Sequence, residues 1–262
     1  MNLPNKLLTI AGSDSGGAAG LQADLRAWAV LGAYGMSAVT AVTAQNSLTV
    51  KAVKFMPPDF IAEQLDTVLS DYGADAAKTG FLGRVDVIKT AAAKLKLFTV
   101  PHVVVDPVLV NHRGESMFPP EVTQAYIHHL LPLAELVTPN LAEAGLLVDL
   151  EVRTLAEAET AVRHLHNLGP KNILIKRILH KNQFIDLFFD GKQMIQLKTA
   201  VLDTKNTHGS GDTLSAAVCA FLARGDDIET AVRQAQQFTA TAIRNASTWK
   251  FSSGHGPIWP TI

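Results

Sequence analysis

The segment NTHGSGDTLSAA, residues 206–217, sets an acid, Asp212, directly after Gly209, Ser210 and Gly211 and at the mouth of an apolar stretch. Leu214, Ala217, Val218, Phe221 and Leu222 recur at helical spacing, which predicts a helix starting near Asp212. Two kinds of chemistry fit this placement. Asp is among the strongest N-cap residues and can simply satisfy the first backbone N–H groups of a helix. Alternatively, glycines ahead of a helix let consecutive N–H groups face one anion, and the helix dipole favours the negative charge. A carboxylate beside such a cradle is placed to accept the proton of a hydroxyl that attacks a phosphoryl group.

Further polar residues follow immediately on short apolar runs: Ser13 and Asp14, Gln45 and Asn46, Lys78, Asp106, Asn140 and Lys176. In an open α/β sheet, ligands bind in the crevice beyond the carboxyl ends of the strands. Strand ends that carry amide, carboxylate and ammonium groups in succession therefore point to one shared crevice. The glycine-rich loop GSDSGGAAG, residues 12–20, matches neither familiar phosphate motif. It lacks the G-x-G-x-x-G spacing of dinucleotide folds and the Lys-Ser/Thr pair that completes a P-loop. Its glycines allow either close backbone approach to a ligand or a tight turn.

The elements that would position these groups alternate in type. Runs at 7–11, 36–43, 74–78, 102–106, 135–140 and 172–176 read as strands. Residues 57–73, 85–96, 121–131 and 154–169 read as helices, as does a stretch carrying Leu21, Leu25 and Trp28 on one face. This alternation implies parallel crossovers and a doubly wound sheet covered on both faces. Residues 186–203 differ, reading as a hairpin that turns at Asp190-Gly191 and adds an antiparallel edge. With no Pro/Gly/Ser-rich linker, repeat or low-complexity tract, residues 1–262 read as a single domain.

Composition narrows the partners. The chain is 47% hydrophobic and 18% charged, with a formal net charge of −1 and no basic block. That argues for a globular protein and against nucleic acid or an anionic membrane as the main partner. Cys219 is the only cysteine, so no intrachain disulfide can form. It falls on the apolar side of the Asp212 helix, where a buried structural thiol is expected. The opening MNLPNKLLTIAG is too short an apolar run for a signal peptide, and no run is long enough to span a bilayer. The cytoplasm is the expected compartment.

Taken in order, TIAGSDSGG with GLQADL, LGAYGMSAVTAVTAQNS, AKTGFLG, VVVDPV, VTPNLAEA, NTHGSGDTLSAA and the closing GHGPI resemble the hydroxymethylpyrimidine/phosphomethylpyrimidine kinases of thiamine biosynthesis. These belong to the ribokinase superfamily, with pyridoxal kinases as near relatives. The resemblance runs nearly end to end. It implies an α/β ribokinase-like three-layer sandwich, with a mostly parallel sheet and an antiparallel edge. It also implies transfer of the ATP γ-phosphoryl to a primary alcohol of a small molecule, with Mg²⁺ between the phosphates, and a homodimer as the expected assembly. By matching position, Asp212 would be the base, and the backbone of Gly209, Ser210 and Gly211 through Asp212 would form the anion hole. Gly12, Ala19, Gln45, Phe81 and Val108 would line the pyrimidine pocket. Asn140, Lys176 and Thr207, with Gly209 and Gly211, would face ATP, and Asp106 with Glu143 would hold Mg²⁺ through water.

Two departures stand out. The pyrimidine kinases usually read GTGC where this chain has GSGD, so Asp212 stands where a Cys is expected; sugar kinases of the superfamily carry Asp there. The segment LIKRILH replaces the usual KGGH, so Arg177 and Ile178 stand in for two glycines. Three readings follow: a pyrimidine kinase, a pyridoxal/pyridoxine or sugar kinase on the same fold, and a vitamin-binding or regulatory protein without turnover. The retained GSGD segment, Lys176 and Glu143 count against the last, since a pure binder needs no base beside an anion hole.

Overall fold

A computed structural model describes residues 3–111 and 113–261. The chain runs β1 (Lys6–Ser13), α1 (Gly20–Val30), β2 (Tyr34–Gln45), β3 (Val50–Phe55), α2 (Pro58–Asp71), β4 (Ala76–Thr79), α3 (Val85–Leu97) and β5 (His102–Val105). It continues through α4 (Pro120–Ala125), which runs on into a π-turn at Tyr126–Leu130 and a 3-10 turn at Leu131–Leu133, then β6 (Leu136–Val137), α5 (Leu141–Val148) and α6 (Leu155–His166). The last third holds β7 (Asn172–His180), β8 (Gln183–Phe189), β9 (Met194–Ala200), α7 (Ser210–Ala223) and α8 (Ile228–Ala246).

The strands form one sheet in the order β3-β2-β1-β4-β5-β6-β7-β8-β9. From β2 to β7 all neighbours are parallel, while β3 at one end and β8 and β9 at the other are antiparallel. Chain progress reverses direction between β1 and β4, because β2 lies on one side of β1 and β4 on the other. That is the switch point at which such sheets open a crevice.

Strand alternation decides which side chains meet which layer. Leu8, Ile10, Val103, Val105, Ile173 and Ile175 enter the core beneath α2 to α6. Their neighbours Leu7, Ala76, Val104 and Leu174 enter the other core, beneath α1, α7 and α8. Two residues beyond Ala76, Val104 and Leu174 stand Lys78, Asp106 and Lys176, on the α7 face by the same period. Three polar strand ends are thereby aimed at the start of one helix.

The expected strands and crossovers are present with shifted limits, and the 186–203 hairpin turns at Asp190-Gly191 as β8–β9. Six features depart from expectation. A second antiparallel edge, β3, caps the opposite end; its residues are largely exposed and so give no burial pattern. Residues 177–180 continue β7 into a hairpin with β8 rather than ending at Lys176. Only two residues of 135–140 are strand, and the helix expected over 121–131 loosens into the π-turn. Helices α5 and α8 were not expected. Most buried positions of α8 are alanines, yet they recur at helical spacing opposite a strongly polar face, so its amphipathic pattern was open to reading in the sequence.

Candidate active site

Helix α7 begins at Ser210, with Gly209 as its N-cap at φ 79° and no side-chain cap. Asp212 is therefore a first-turn residue and not the cap, which corrects the plainer of its two readings. At Gly209 an added Cβ would overlap the carbonyl oxygen of Ala18 and fall 2.9 Å from its carbonyl carbon. Glycine is required there both by the left-handed backbone and by the approach of the loop. The N–H groups of Gly211 and Asp212 find no protein acceptor among the described residues, leaving the free donors that make a helix start an anion site.

The glycine-rich loop is folded around its own carboxylate. Asp14 Oδ1 accepts from Gly16 N–H at 2.8 Å, and Oδ2 accepts from Ala18 and Ala19 N–H at 2.9 Å each. The loop thus makes a tight turn whose far side packs on Gly209.

Two buried lysines stand behind the cradle. Lys176 Nζ pairs with Asp106 Oδ1 at 2.6 Å and would meet a Cβ on Gly211 at 3.1 Å. Asp106 also accepts from Thr138 Oγ1 at 3.1 Å and Ser215 Oγ at 3.3 Å. Burial works against the Asp106 charge, but Lys176, Lys78 and the Thr138 hydroxyl outweigh it and hold the carboxyl below its usual range. Lys78 Nζ lies 2.7 Å from Asp24 Oδ1 and 3.1 Å from Asp212 Oδ1. Burial opposes the Lys78 ammonium, yet Asp24, Asp212 and Asp106 around it carry its pKa above the ordinary range.

Asn140 caps α5 in a reciprocal box with Glu143: Asn140 Oδ1 accepts from Glu143 N–H at 3.0 Å, and Glu143 Oε2 accepts from Asn140 N–H at 2.9 Å. Both residues expected to face ATP and metal therefore also build a helix start. Burial pushes Glu143 up to about 7; Lys176 opposes this and Asp106 adds to it. Asp106 and Glu143 share Lys176 as their main cation, so a further positive charge at this spot would be well received. Among the described residues no group of three or more His, Cys, Asp or Glu could hold a metal ion. The pair nonetheless fits Mg²⁺, which takes one or two carboxylates and fills its shell with water and substrate phosphates.

The expected acceptor-pocket residues spread along the same carboxyl edge. Gly12 lies against Phe81, whose Cδ1 would be 3.1 Å from a Cβ there, and Phe81 stacks on Phe55 and meets Phe118 at a tilt. Ala19 borders Gly209. Val108 is half-buried just past Asp106, its N–H donating to Asp106 O at 3.0 Å. Gln45 ends β2 with Nε2 3.4 Å from His208 Nε2. Thr207 Oγ1 lies 2.7 Å from His255 Nε2, so its hydroxyl is engaged with the closing GHGPI segment.

Beyond the cradle opens a cleft of about 790 Å³ including its solvent-filled mouth, walled by the ends of β7, β8 and β9, the start of α7 and one side of α8. Lys176, Thr207 and Gly211 lie at its inner end, and Gln236, Thr239 and Ile243 of α8 form the far wall. Sequence reasoning missed the α8 wall. It also left Asp24 and Lys78 unassigned, although a lysine inside AAKT, a strand with every residue buried, was a visible anomaly. Arg177 adopts φ 55°, the conformation a glycine would take freely, with its N–H bonded to Asp186 Oδ1 at 2.7 Å and its guanidinium 4.5 Å from the Phe184 ring centre.

A switch-point crevice that holds an anion cradle, a carboxylate and buried ammonium groups is suited to holding a phosphoryl group. The family model described as phosphomethylpyrimidine kinase matches residues 14–259, and the chain belongs to that family. It is 42% identical to the hydroxymethylpyrimidine/phosphomethylpyrimidine kinase of Mycobacterium tuberculosis, covering 98% of this chain and 94% of that protein. It is 40% identical to a chloroplastic thiamine biosynthetic bifunctional enzyme of Arabidopsis thaliana, over 97% of this chain and 49% of that one. The chain spans about half the length of the first curated relatives it matches. Among solved structures, Staphylococcus aureus pyridoxal kinase in complex with AMP-PCP and pyridoxal superposes with a TM-score of 0.90 at 38% identity, covering 98% of this chain and 93% of that one. The fold is the ribokinase-like one, with antiparallel strands at both ends of the sheet.

Proposed function

We propose that the chain transfers the γ-phosphoryl of ATP to the hydroxymethyl group of 4-amino-5-hydroxymethyl-2-methylpyrimidine, and then to the resulting monophosphate. The observation that carries this reading is the Asp212 carboxylate in the first turn of α7, beside two unengaged N–H groups and in contact with a buried ammonium. In this reading Asp212 accepts the proton of the acceptor hydroxyl as its oxygen bonds to phosphorus. The bond from phosphorus to the bridging oxygen breaks, and ADP leaves. The N–H groups of Gly211 and Asp212 stabilise the charge on the moving group, which is where an enzyme gains most in phosphoryl transfer. Lys176, Asn140 and Thr207 lie toward the nucleotide. Asp106 and Glu143 would hold Mg²⁺, which would supply neutralisation of the phosphate charge.

The acceptor assignment rests on Gln45. An amide offers a donor and an acceptor together, which complements a ring nitrogen beside an exocyclic amine. Pyridoxal phosphorylation is the second reading, favoured by the likeness to the pyridoxal kinase structure. Exposed Val42, Val50 and Val53 on the β2–β3 ribbon support a homodimer, testable by light scattering on a sizing column. The lone buried Cys219 suits a reducing compartment, so a cytoplasmic location belongs to the same proposal.

The test is ADP release with hydroxymethylpyrimidine, its monophosphate, pyridoxal, pyridoxine and ribose, on wild type and Asp212→Asn. A general base contributes about 10²–10⁴-fold, so Asp212→Asn should lose at least that lower figure in kcat. Retention of more than about a tenth of wild-type kcat would remove Asp212 from the base role. Pyridoxal as the preferred acceptor would reverse the choice of substrate.

A further inference from the structure

The Lys78 ammonium is fully buried and lies between two carboxylates from different helices, Asp24 of α1 and Asp212 of α7. Asp24 is equally buried, while Asp212 retains 17% side-chain exposure toward the crevice. Behind Asp24, Thr9 Oγ1 of β1 donates to its Oδ2 at 2.6 Å. The register of α1 on α7 is held one turn further along: Trp28 Nε1 donates to Ala216 O at 2.8 Å. Trp28 and Ala216 are each four residues after the paired acids and so lie over them on their own helices. A line of polar contacts, Thr9–Asp24–Lys78–Asp212, runs from inside the sheet to the crevice.

Resting on the reading of Asp212 as the base, we propose that Lys78 and Asp24 are its positioning residues. Lys78 orients the Asp212 carboxylate, and Asp24, as the second counter-ion of that ammonium, lets Asp212 take up a proton without leaving the lysine uncompensated. The charge count carries the proposal. With Asp212 and Lys78 alone, proton transfer to the base would convert a neutral buried pair into a bare ammonium, among the costliest states in a protein interior. With Asp24 present the trio passes from one net negative charge to none. Burial, opposed by Lys78, pushes Asp24 up to about 7. Lys176 of β7 also acts on Asp212, while Asp106 of β5 and the Cys219 thiol of α7 act on Lys78 from their own elements.

The two partners make opposite predictions for the acid limb of the pH profile of kcat/KM. In Asp24→Asn the ammonium faces Asp212 alone and favours its charged form, so the limb should move down by about 1–3 pH units and kcat should fall with KM little changed. In Lys78→Met two carboxylates face each other without a cation, so the limb should move up. Thr9→Val removes the hydroxyl that favours the charged Asp24, so it should displace the limb downward by less, and it carries the sign should Asp24→Asn not fold. Limbs that stay in place, or that move the same way in the aspartate and lysine variants, overturn the proposal. Asp212→Asn, measured alongside, separates the two levels. If it keeps kcat, the base reading itself fails. If it abolishes kcat while the limbs of the other variants do not move, only the role of Asp24 and Lys78 fails.

Discussion

Gly209 is where the cradle is most sensitive to a single methyl group. At φ 79° an alanine carries the left-handed penalty, about 1–2 kcal/mol. The same penalty alone applies at Gly225, where φ is 95° and nothing lies within 4 Å of an added Cβ. Gly225→Ala should therefore lower Tm by about 2–4 °C per kcal/mol and leave turnover as it was. Gly209→Ala adds a clash, because its Cβ would sit 2.9 Å from Ala18 C. Ordinary carbon contacts are about 3.5–4.0 Å, so the loop and the cradle must part by about 1 Å. A displacement of that size at a catalytic site costs about 10²-fold. Steady-state ADP release and thermal unfolding, run on both variants, should give a similar Tm loss or a larger one for Gly209→Ala, and the fall in kcat for it alone. If Gly209→Ala matches Gly225→Ala in Tm and keeps kcat within about threefold of wild type, far short of that hundredfold cost, the contact of Gly209 with Ala18 does not set the cradle.

Three further outcomes test other parts of the site. Cys219 is buried and burial pushes its thiol well above the usual range, so activity should resist iodoacetamide; rapid inactivation that substrate prevents would place the thiol in the site. Asp186 is raised above 3.8 by burial, which its bonds to Arg177 N–H and Gln236 only partly offset. A carboxyl raised in the folded state stabilises the fold below its unfolded pKa and loses that contribution as pH rises through the folded value. Thermal melts of Asp186→Asn should thus decline less than wild type above the ordinary carboxyl range, and parallel pH profiles would refute this. Gln45→Met should narrow the preference for hydroxymethylpyrimidine over pyridoxal, chiefly by slowing the pyrimidine reaction, since a buried polar group left unpaired costs about 1–3 kcal/mol; an unchanged kcat/KM ratio would take Gln45 out of acceptor choice.

The parallel core of the sheet was legible because its strands are apolar on both faces and end in polar groups. Where burial stops, legibility stops with it. In β3 the sequence VKAVKF forms an exposed ribbon, so alternation has no inside to report. Helix α8 is the exception: it buries Ala231, Ala235, Ala242 and Ala246 at helical spacing opposite a polar face, a legible amphipathic pattern carried by small residues. Asn140 and Glu143 carry both a capping box and an expected catalytic role. Their spacing served the motif so well that the short helix behind it went unread.

The two departures from the family pattern are answered differently by the structure. At position 177 the backbone keeps the left-handed conformation that glycine permits, and an arginine occupies it with support from Asp186 and Phe184. The substitution changes the lining of the cleft beside β7 while Lys176, one residue before, still reaches Asp106. At position 212 the acid meets Lys78, and a carboxylate and a thiol make different demands on that neighbour. A thiol is a base only once ionised, and a nearby ammonium promotes that ionisation. A carboxylate is already ionised at neutral pH, and an unbalanced ammonium only weakens it as a base. For an Asp at this position the second counter-ion matters most, and Asp24 supplies it at 2.7 Å from the same nitrogen. In the proposed reaction the residue at 212 therefore cannot be judged by itself: Asp212 would serve as a base to the extent that Asp24 keeps Lys78 occupied.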